Sequence, residues 1–205
     1  MTMRELWNAN IHYHSLILAS LSPDASRVLE VGCGDGILSA KLVESGVSHV
    51  VGLDVDRPVL DRARARHEGM GIDWMQGDVL EFPFEPESFD AVVSVAALHH
   101  MDAAKSLKRF AQLVRPGGTV VVVGLAANTW LDIPLASVGI AARLVLGLVH
   151  GRWHHSAPEC WPPPLTYREV KTLSARVLPG VRYRRHLLVR YSLVWRKPCG
   201  SAVIA

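Results

Sequence analysis

Short apolar runs alternate with segments of helical spacing along most of the chain. Five of the runs have the length and composition of buried strands. They span residues 27–31, 49–53, 72–75, 89–94 and 119–124. Because these runs are largely apolar rather than strictly alternating, they predict parallel strands that helices cover on both faces of the sheet.

Three helices are predicted between these strands, and a fourth is predicted after the last of them. They span residues 37–44, 57–68, 103–114 and 166–178. The last two have recognisable starts: Asp102 is an N-cap residue, and Thr166-Tyr-Arg-Glu169 is a capping-box sequence. The first twenty residues also predict one or two helices, which end at Ser22-Pro23-Asp24.

The end of the chain departs from the strand–helix alternation. Residues 181–187 and 189–197 predict two strands that are too close in sequence for a crossover, so they must pair as an antiparallel hairpin. Before them, residues 126–164 predict a helix over 133–149 followed by a Pro-rich loop. An insertion of this length is expected to serve as a lid or a binding element.

The composition is that of an ordinary globular domain, with 205 residues of which 49% are apolar and 20% charged. We expect one domain over residues 1–205, with cover helices in 1–24 and the lid-like insertion at 126–164. No apolar run reaches the roughly 18 to 20 residues of a membrane-spanning helix, and no signal peptide is visible. The three cysteines are odd in number and widely spaced, which favours a reducing, cytoplasmic location over a disulfide framework.

Charge is distributed unevenly along the chain. Residues 1–142 carry 11 Lys/Arg and 17 Asp/Glu, whereas residues 143–205 carry 11 Lys/Arg and 2 Asp/Glu. This asymmetry is compatible with an anionic partner or with a solvated basic edge. The apolar helix at 133–149 leaves three roles open: a lid over an apolar acceptor, a homodimer face, or a peripheral membrane contact.

The densest chemical signal follows the first predicted strand, in Glu30-Val-Gly32-Cys-Gly34-Asp-Gly36. Glycines after a strand allow a tight turn and close approach of the backbone to a ligand. The spacing is G-x-G-x-G, and Ile37 stands where a dinucleotide-binding loop has its third glycine. The Gly-Lys-Ser/Thr of a Walker-type phosphate loop is absent as well.

Three carboxylates follow consecutive predicted strands. Glu30, at the end of the first strand, disfavours a pyrophosphate and attracts a cationic amino group. Asp54, at the end of the second strand, has the position of a side chain that bonds a ribose hydroxyl. Asp78 follows the third strand, where it accepts a hydrogen bond from an adenine amino group. Together they predict a nucleoside ligand with a positively charged, amino-acid-like tail.

The ordered motifs resemble those of class I S-adenosylmethionine-dependent methyltransferases, in particular a small bacterial type with a Leu-His-His segment after the fourth strand. They are Glu30-Val-Gly-Cys-Gly-Asp-Gly36, Gly52-Leu-Asp-Val-Asp56, Gly77-Asp-Val79, Phe89-Asp-Ala-Val-Val-Ser-Val-Ala-Ala-Leu-His-His100 and Arg115-Pro-Gly-Gly118. The resemblance implies an α/β, Rossmann-like, doubly wound sheet of seven strands in the order 3-2-1-4-5-7-6, with strand 7 antiparallel. It also implies S-adenosyl-L-methionine as cofactor and S-adenosyl-L-homocysteine as product.

The resemblance assigns roles position by position. The glycines wrap the methionine part, Asp54 binds the ribose diol, and Asp78 reads the adenine edge together with the Val79 backbone. Residues 94–96 line the side of methyl transfer. The implied cofactor-binding set is Glu30, Gly32, Cys33, Gly34, Gly36, Asp54, Val55, Asp78, Val79 and Val95.

The acceptor is expected to be a small and largely apolar molecule. Ser94-Val-Ala-Ala97 replaces the Asn/Asp-Pro-Pro-Tyr/Phe motif of enzymes that methylate base amino groups, so nucleic acid is not expected. His100 is a candidate general base for a hydroxyl acceptor, and His99, Tyr13 and His14 are candidate substrate contacts.

Other interpretations remain open at this stage. The histidines can be structural, and the chain can be a cofactor-binding interaction protein without catalysis, whose basic C-terminal hairpin docks an anionic partner. A nicotinamide-dependent oxidoreductase is disfavoured by the glycine spacing. No metal site is expected, because His154, His155, Glu159 and Cys160 match no zinc-ligand spacing.

Overall fold

Seven strands form one mixed sheet in the computed structural model of the chain, which describes residues 7–150 and 162–200. The strands are β1 (Arg27–Val31), β2 (His49–Asp54), β3 (Asp73–Gln76), β4 (Phe89–Val95), β5 (Val114–Gly124), β6 (Arg182–His186) and β7 (Arg190–Arg196). Their order is β3-β2-β1-β4-β5-β7-β6. The first five strands pair in parallel, and β7 lies antiparallel between β5 and β6. The predicted order and the predicted terminal hairpin are confirmed.

Six α-helices accompany the sheet within the part of the chain that the structure describes. They are α1 (His14–Ser20), α2 (Ile37–Glu44), α3 (Arg57–Arg66), α4 (Ala103–Leu113), α5 (Ile133–His150) and α6 (Tyr167–Val177). The Asp102 side chain caps α4 by accepting from the Lys105 amide, and the predicted capping box of α6 forms between Thr166 and Glu169. Among the described residues, no helix combines the length and the apolarity needed to cross a membrane.

The sheet buries both of its faces, which explains why its strands are apolar at consecutive positions. Leu29 and Val51 point into a core that α4 and α6 cover, while their neighbours Val28 and Val50 point into a second core. Residues of α1 and α2 cover that second core. This two-sided burial leaves the ends of the strands as the places where a ligand can reach the sheet.

β5 differs from its prediction, because it begins at Val114 rather than at residue 119. Arg115-Pro-Gly-Gly118 directly follows the helix predicted over residues 103–114, and it lies within the strand. The pairing with β4 shifts between Phe89 and Ala91, and Gly117 takes a φ of 78°. A β-bulge therefore accommodates the Pro-Gly-Gly sequence, which is typical of turns, within the strand.

Candidate active site

A cavity of about 660 Å³ lies at the carboxyl ends of β1 to β4, the edge at which parallel sheets place their ligands. Its wall comes from the turns after these strands and from the segment before α1. The volume falls in the range of about 300–1,000 Å³ that is usual for small-molecule sites. Of the residues predicted to bind a cofactor, those in the wall are Glu30, Gly32, Cys33, Gly34, Asp54, Val55, Asp78, Val79 and Val95.

The glycine turn after β1 combines two roles. Gly32, Gly34 and Gly36 all have positive φ values, of 71°, 54° and 74°. A Cβ on Gly34 would meet nothing within 4 Å, so the backbone there is open to a ligand. A Cβ on Gly36 would lie 2.3 Å from the Trp74 ring, and Gly36 is not in the cavity wall. Gly36 therefore serves packing. A Cβ on Gly32 would lie 2.3 Å from the Ala97 Cβ, so Gly34 alone of the three glycines leaves the turn open.

Asp54 ties the turn after β2 to this glycine turn. Its Oδ2 accepts from the Gly34 amide at 2.8 Å, and its Oδ1 accepts from the Asp56 amide at 3.0 Å. The carboxylate is half-buried in the cavity wall. The structure therefore brings Asp54 and the glycine turn together, as the resemblance requires.

Glu30 lies deeper, with only 3% of its surface exposed. The Ser39 hydroxyl donates to its Oε2. Burial raises the pKa of Glu30 to about 8, against the lowering effect of the Ser39 hydrogen bonds. Glu30 is thus protonated near neutral pH and becomes an anion when a cation lies beside it.

The cavity wall also contains Val55, Asp78 and Val79 of the predicted cofactor-binding set. Val55 is 65% exposed although it is apolar, so its side chain is available to a flat ring. Asp78 is exposed, and its Oδ1 accepts from the Leu80 amide at 2.9 Å. Val79 is buried beside it.

The predicted methyl-transfer side needs one correction. Val95 and Ala96 line the cavity, but Ser94 is fully buried within β4. The Ser94 hydroxyl donates to the Val31 carbonyl at 2.9 Å and thus joins β4 to β1. Strand alternation turns Ser94 into the protein interior, so it is a structural residue.

Of the two N-terminal residues predicted to contact the substrate, His14 lines the cavity and Tyr13 does not. His14 is in the cavity wall, is buried, and has a buried Nδ1 without a hydrogen-bond partner. Burial lowers the pKa of His14 to about 3, so the ring is neutral at pH 7. Tyr13 lies outside the wall, because its hydroxyl accepts from the Leu188 amide at 3.3 Å. The expectation that Tyr13 contacts substrate therefore does not match its position.

The two histidines after β4 differ in their surroundings. Their ring centroids are 4.1 Å apart, and both rings line the cavity. His100 is exposed, whereas His99 is half-buried with an unpartnered, buried Nδ1. Burial lowers the pKa of His99 to about 4, with further lowering by His100 and Arg190. His99 is therefore a neutral group that can accept or donate one hydrogen bond at this nitrogen.

A second cavity of about 230 Å³ adjoins the first. The two cavities share His99, Met101, Asp102 and Leu125 in their walls. The rest of the smaller wall is mostly apolar and comes from α4, α6 and nearby loops. It consists of Leu98, Ala103, Leu107, Pro164, Leu165, Val170, Leu173 and Tyr191.

Two polar residues of the large cavity escaped the sequence analysis. Arg190, at the start of β7, is only 7% exposed and lies in the wall. Its Nε and Nη2 donate to Asn10 Oδ1 at 3.0 and 2.8 Å. The two residues are 180 positions apart in sequence, so only the fold brings them together. No local pattern distinguishes Arg190 from the other basic residues of the hairpin.

Cys33 is a buried member of the glycine turn. Burial raises the pKa of its thiol, with smaller contributions from Glu30 and Asp54, so the thiolate is disfavoured. The residues considered for zinc, 154–160, lie outside the described part of the chain. Within residues 7–150 and 162–200, no group of three or more His, Cys, Asp or Glu side chains is arranged to hold a metal ion.

Comparison with known proteins agrees with this geometry. A family model described as a methyltransferase domain matches residues 28–118. An uncharacterized methyltransferase of Mycobacterium tuberculosis is 41% identical over 202 residues, covering 96% of this chain and 100% of that protein. The chain therefore belongs to the class I S-adenosylmethionine-dependent methyltransferases, and it is an enzyme of that class.

Two further proteins show the breadth of the similarity. The ubiquinone biosynthesis O-methyltransferase of Aeromonas salmonicida is 36% identical over 162 residues, which cover 77% of this chain and 66% of that protein. The crystal structure of an S-adenosylmethionine-dependent methyltransferase from Mesorhizobium loti has a TM-score of 0.61 at 20% identity, over 89% of this chain and 96% of that one. This membership does not favour the interpretation as a non-catalytic interaction protein.

The buried carboxyl group of Glu30 generates a prediction about stability. Its folded-state pKa of about 8 lies above the ordinary value of 4.5. The native stability that depends on the protonated group is therefore full below pH 4.5 and is lost as the pH rises through about 8. The amide of Glu30→Gln does not titrate, and its oxygen can still accept a hydrogen bond from the Ser39 hydroxyl. The unfolding free energy of this variant, relative to that of the wild type, should therefore increase with pH.

Urea unfolding of the ligand-free protein at about pH 5, 7 and 9 measures this difference. Glu44→Gln, an exposed change on α2, is the matched control and should show no such trend. Parallel stability curves for Glu30→Gln and the wild type would show that Glu30 titrates normally.

Proposed function

We propose that this enzyme transfers the methyl group of S-adenosyl-L-methionine to a small, largely apolar acceptor, with S-adenosyl-L-homocysteine as the other product. The observation that supports this most directly is the shared wall of the two cavities. One cavity has the carboxylates and the open glycine turn suited to a nucleoside with a cationic tail. The other is apolar, and the two meet at His99, Met101 and Leu125.

The residues of the large cavity fit the cofactor in detail. Gly34 has open space where a Cβ would be, and Asp54 holds its carboxylate beside that turn. Exposed Val55 offers an apolar surface for the adenine ring. Glu30 lies at the other end of the turn, where a cationic amino group would favour its ionised form. His14 has a buried nitrogen without a partner, which a polar group of the cofactor would satisfy.

When bound, S-adenosyl-L-methionine supplies an electrophilic methyl group on a sulfonium. The protein contributes positioning, since the acceptor atom must lie in line at roughly 3 to 3.5 Å. The apolar wall of the smaller cavity holds the acceptor body and excludes water from the reacting atoms. No described residue needs to form a covalent bond with the acceptor.

The acceptor also needs one nucleophilic polar atom, and His99 lies where the two cavities meet. Its neutral ring can accept a hydrogen bond from a hydroxyl and so orient the nucleophile. His100 is more exposed than His99. Burial lowers the pKa of His100 while the Asp54 carboxylate acts to raise it, and the ring remains the candidate general base. A relative named as an O-methyltransferase supports oxygen as the acceptor atom.

The domain organisation follows the same proposal. We propose one methyltransferase domain over residues 1–205, with cover helices at 1–24 and a lid-like insertion at 126–164. Of these ranges, residues 1–6, 151–161 and 201–205 lie outside the described part of the chain. Support comes from the wall of the large cavity, which includes Ile11 and His14 of the cover segment. The wall of the smaller cavity includes Pro164 at the end of the insertion.

Asp54→Asn should weaken the binding of S-adenosyl-L-methionine at least tenfold. Loss of a hydrogen bond to a charged group costs roughly 1.5–3 kcal/mol, and about 1.4 kcal/mol corresponds to tenfold in affinity. Isothermal titration calorimetry measures the dissociation constant. Asp73→Asn removes an exposed carboxylate at the other end of the neighbouring strand and is the matched control. Absence of heat with the wild-type protein would refute the cofactor assignment.

Leu173→Trp should obstruct the smaller cavity and raise the KM for the acceptor, while the affinity for S-adenosyl-L-methionine stays unchanged. Leu173 is half-buried in that wall and is absent from the wall of the large cavity. Thr172→Trp places the same ring on an exposed position of α6 and should leave both constants alone. Steady-state kinetics with an acceptor found by screening measures the split. Equal effects of the two changes would argue against an acceptor in this cavity.

His99→Ala should lower kcat/KM about fivefold, because a typical hydrogen bond contributes about 1 kcal/mol and about 1.4 kcal/mol corresponds to tenfold. The effect of His100→Ala separates orientation from base catalysis. Since the pKa of His99 is about 4, its neutral form is complete above pH 6, and the rate should be flat from there upward. An acid limb of the rate profile that disappears in His100→Ala would instead identify His100 as the base.

A further inference from the structure

Large apolar side chains are exposed together in one region of the molecule. Of the nine exposed large hydrophobic residues in the described chain, only Val55 belongs to the cofactor cavity. The other eight lie on α5, in the turn before it, or in the turn between β6 and β7. We call these residues the α5 face: Trp130, Val138, Ile140, Leu144, Val145, Leu148, Val149 and Leu187.

The packing of α5 is the reverse of an ordinary surface helix. Gly139 faces inward, and a Cβ there would lie 2.0 Å from the Leu187 carbonyl oxygen. Gly147 is buried as well. Outward, Ile140, Leu144 and Leu148 follow one another at four-residue spacing, and Leu148 is 87% exposed. A helix that docks through glycine and displays leucine keeps its large apolar surface for another contact.

The α5 face lies at the edge of the sheet that carries the active site. β7 runs antiparallel to β5, and Tyr191 pairs with Gly124 at the carboxyl end of that strand. The turn before β7, which contains Leu187, is therefore at the carboxyl edge. Arg190 follows that turn and lines the large cavity. The apolar face and the cavity thus share one end of the molecule.

Charge distinguishes between the surfaces that could cover this face. Residues 133–150 contain no acidic residue, and residues 162–200 contain nine Lys/Arg and only Glu169 as an acid. Arg182 and Arg184 are exposed on β6, the strand at the edge of the sheet. This concentration of positive charge complements an anionic surface.

The exposed arginines lie on the same side of the sheet as α5. Arg182, Arg184 and His186 occupy every second position of β6, so their side chains lie on the same side of the sheet. The His186 ring lies 4.9 Å from that of Tyr13. Tyr13 belongs to the core cluster against which Ala142 and Leu146 of α5 pack. A symmetric contact between two copies of this face would bring their basic edge strands toward each other, which like charges disfavour.

We propose that the α5 face docks on the surface of an anionic lipid bilayer, with α5 lying in the interface. The helix inserts its outward residues among the lipid chains near the headgroups, and the basic edge of β6 interacts with the anionic headgroups. A free interfacial helix carries its own charged face, which interacts with the lipid headgroups. Here the basic residues of β6, outside α5, provide that interaction. Docking requires neither bound cofactor nor acceptor, so this inference goes beyond the proposed function and is independent of it.

Vesicle flotation of the full chain tests the proposal. The protein should float with vesicles of phosphatidylcholine containing a third of phosphatidylglycerol, and it should bind pure phosphatidylcholine at least tenfold more weakly. The double change Leu144→Glu with Leu148→Glu should reduce binding to the anionic vesicles at least tenfold. Arg182→Glu with Arg184→Glu should remove the preference for anionic vesicles, and high salt should do the same. Lys108→Glu, an exposed charge reversal on α4, is the control and should bind as the wild type does.

Three results would overturn the proposal. The first is absence of flotation with anionic vesicles, and the second is flotation that the leucine variant leaves unchanged. The third is a concentration-dependent dimer in sedimentation velocity that the leucine variant converts to a monomer, since this would assign the α5 face to a second copy of the chain. Circular dichroism and calorimetry with S-adenosyl-L-methionine show whether the variants are folded. Failure of cofactor binding in the wild type would count against the proposed function alone.

Discussion

The candidate site depends on the hydrogen bonds that join the glycine turn after β1 to the end of β2. The Asp54 carboxylate accepts from the Gly34 amide, while the amides of Gly32 and Cys33 both donate to the Leu53 carbonyl, at 2.8 and 3.1 Å. These bonds hold the glycine turn open against the end of the neighbouring strand. Parallel pairing of β1 with β2 brings the two turns together, so the sheet itself generates the cradle.

Much of the fold could be predicted because its signals are local. The capping box at Thr166, the N-cap at Asp102 and the closeness of the two terminal strands each act over a few residues. The bulged start of β5 could not, because Arg115-Pro-Gly-Gly118 has the local pattern of a turn and only pairing with β4 extends the strand through it. Predictions of this kind fail where a tertiary contact overrides a local preference.

The candidate site likewise contains some features that the sequence could predict and others that it could not. Asp54 and the glycine turn follow strands that pair in the sheet, so topology alone placed them together. The side chains of Tyr13 and Ser94 turn away from the cavity, and Arg190 with Asn10 turns toward it, for reasons that depend on packing between distant segments. The smaller cavity could not be predicted from the sequence for the same reason. It forms between residues of α4 and α6, which are far apart in the chain and share no sequence motif.

Burial gives the site a particular electrostatic character. It raises the pKa of Glu30 and lowers the pKa values of His14 and His99, so all three are uncharged near neutral pH. The neutral His99 ring, where the two cavities meet, therefore offers a hydrogen bond rather than a charge, which suits the proposed apolar acceptor with a single polar atom. Such an acceptor would partition from water into a bilayer. The exposure of Leu148 and its neighbours at the same edge as the cavity gives a physical reason for the protein to bring its site to a lipid surface.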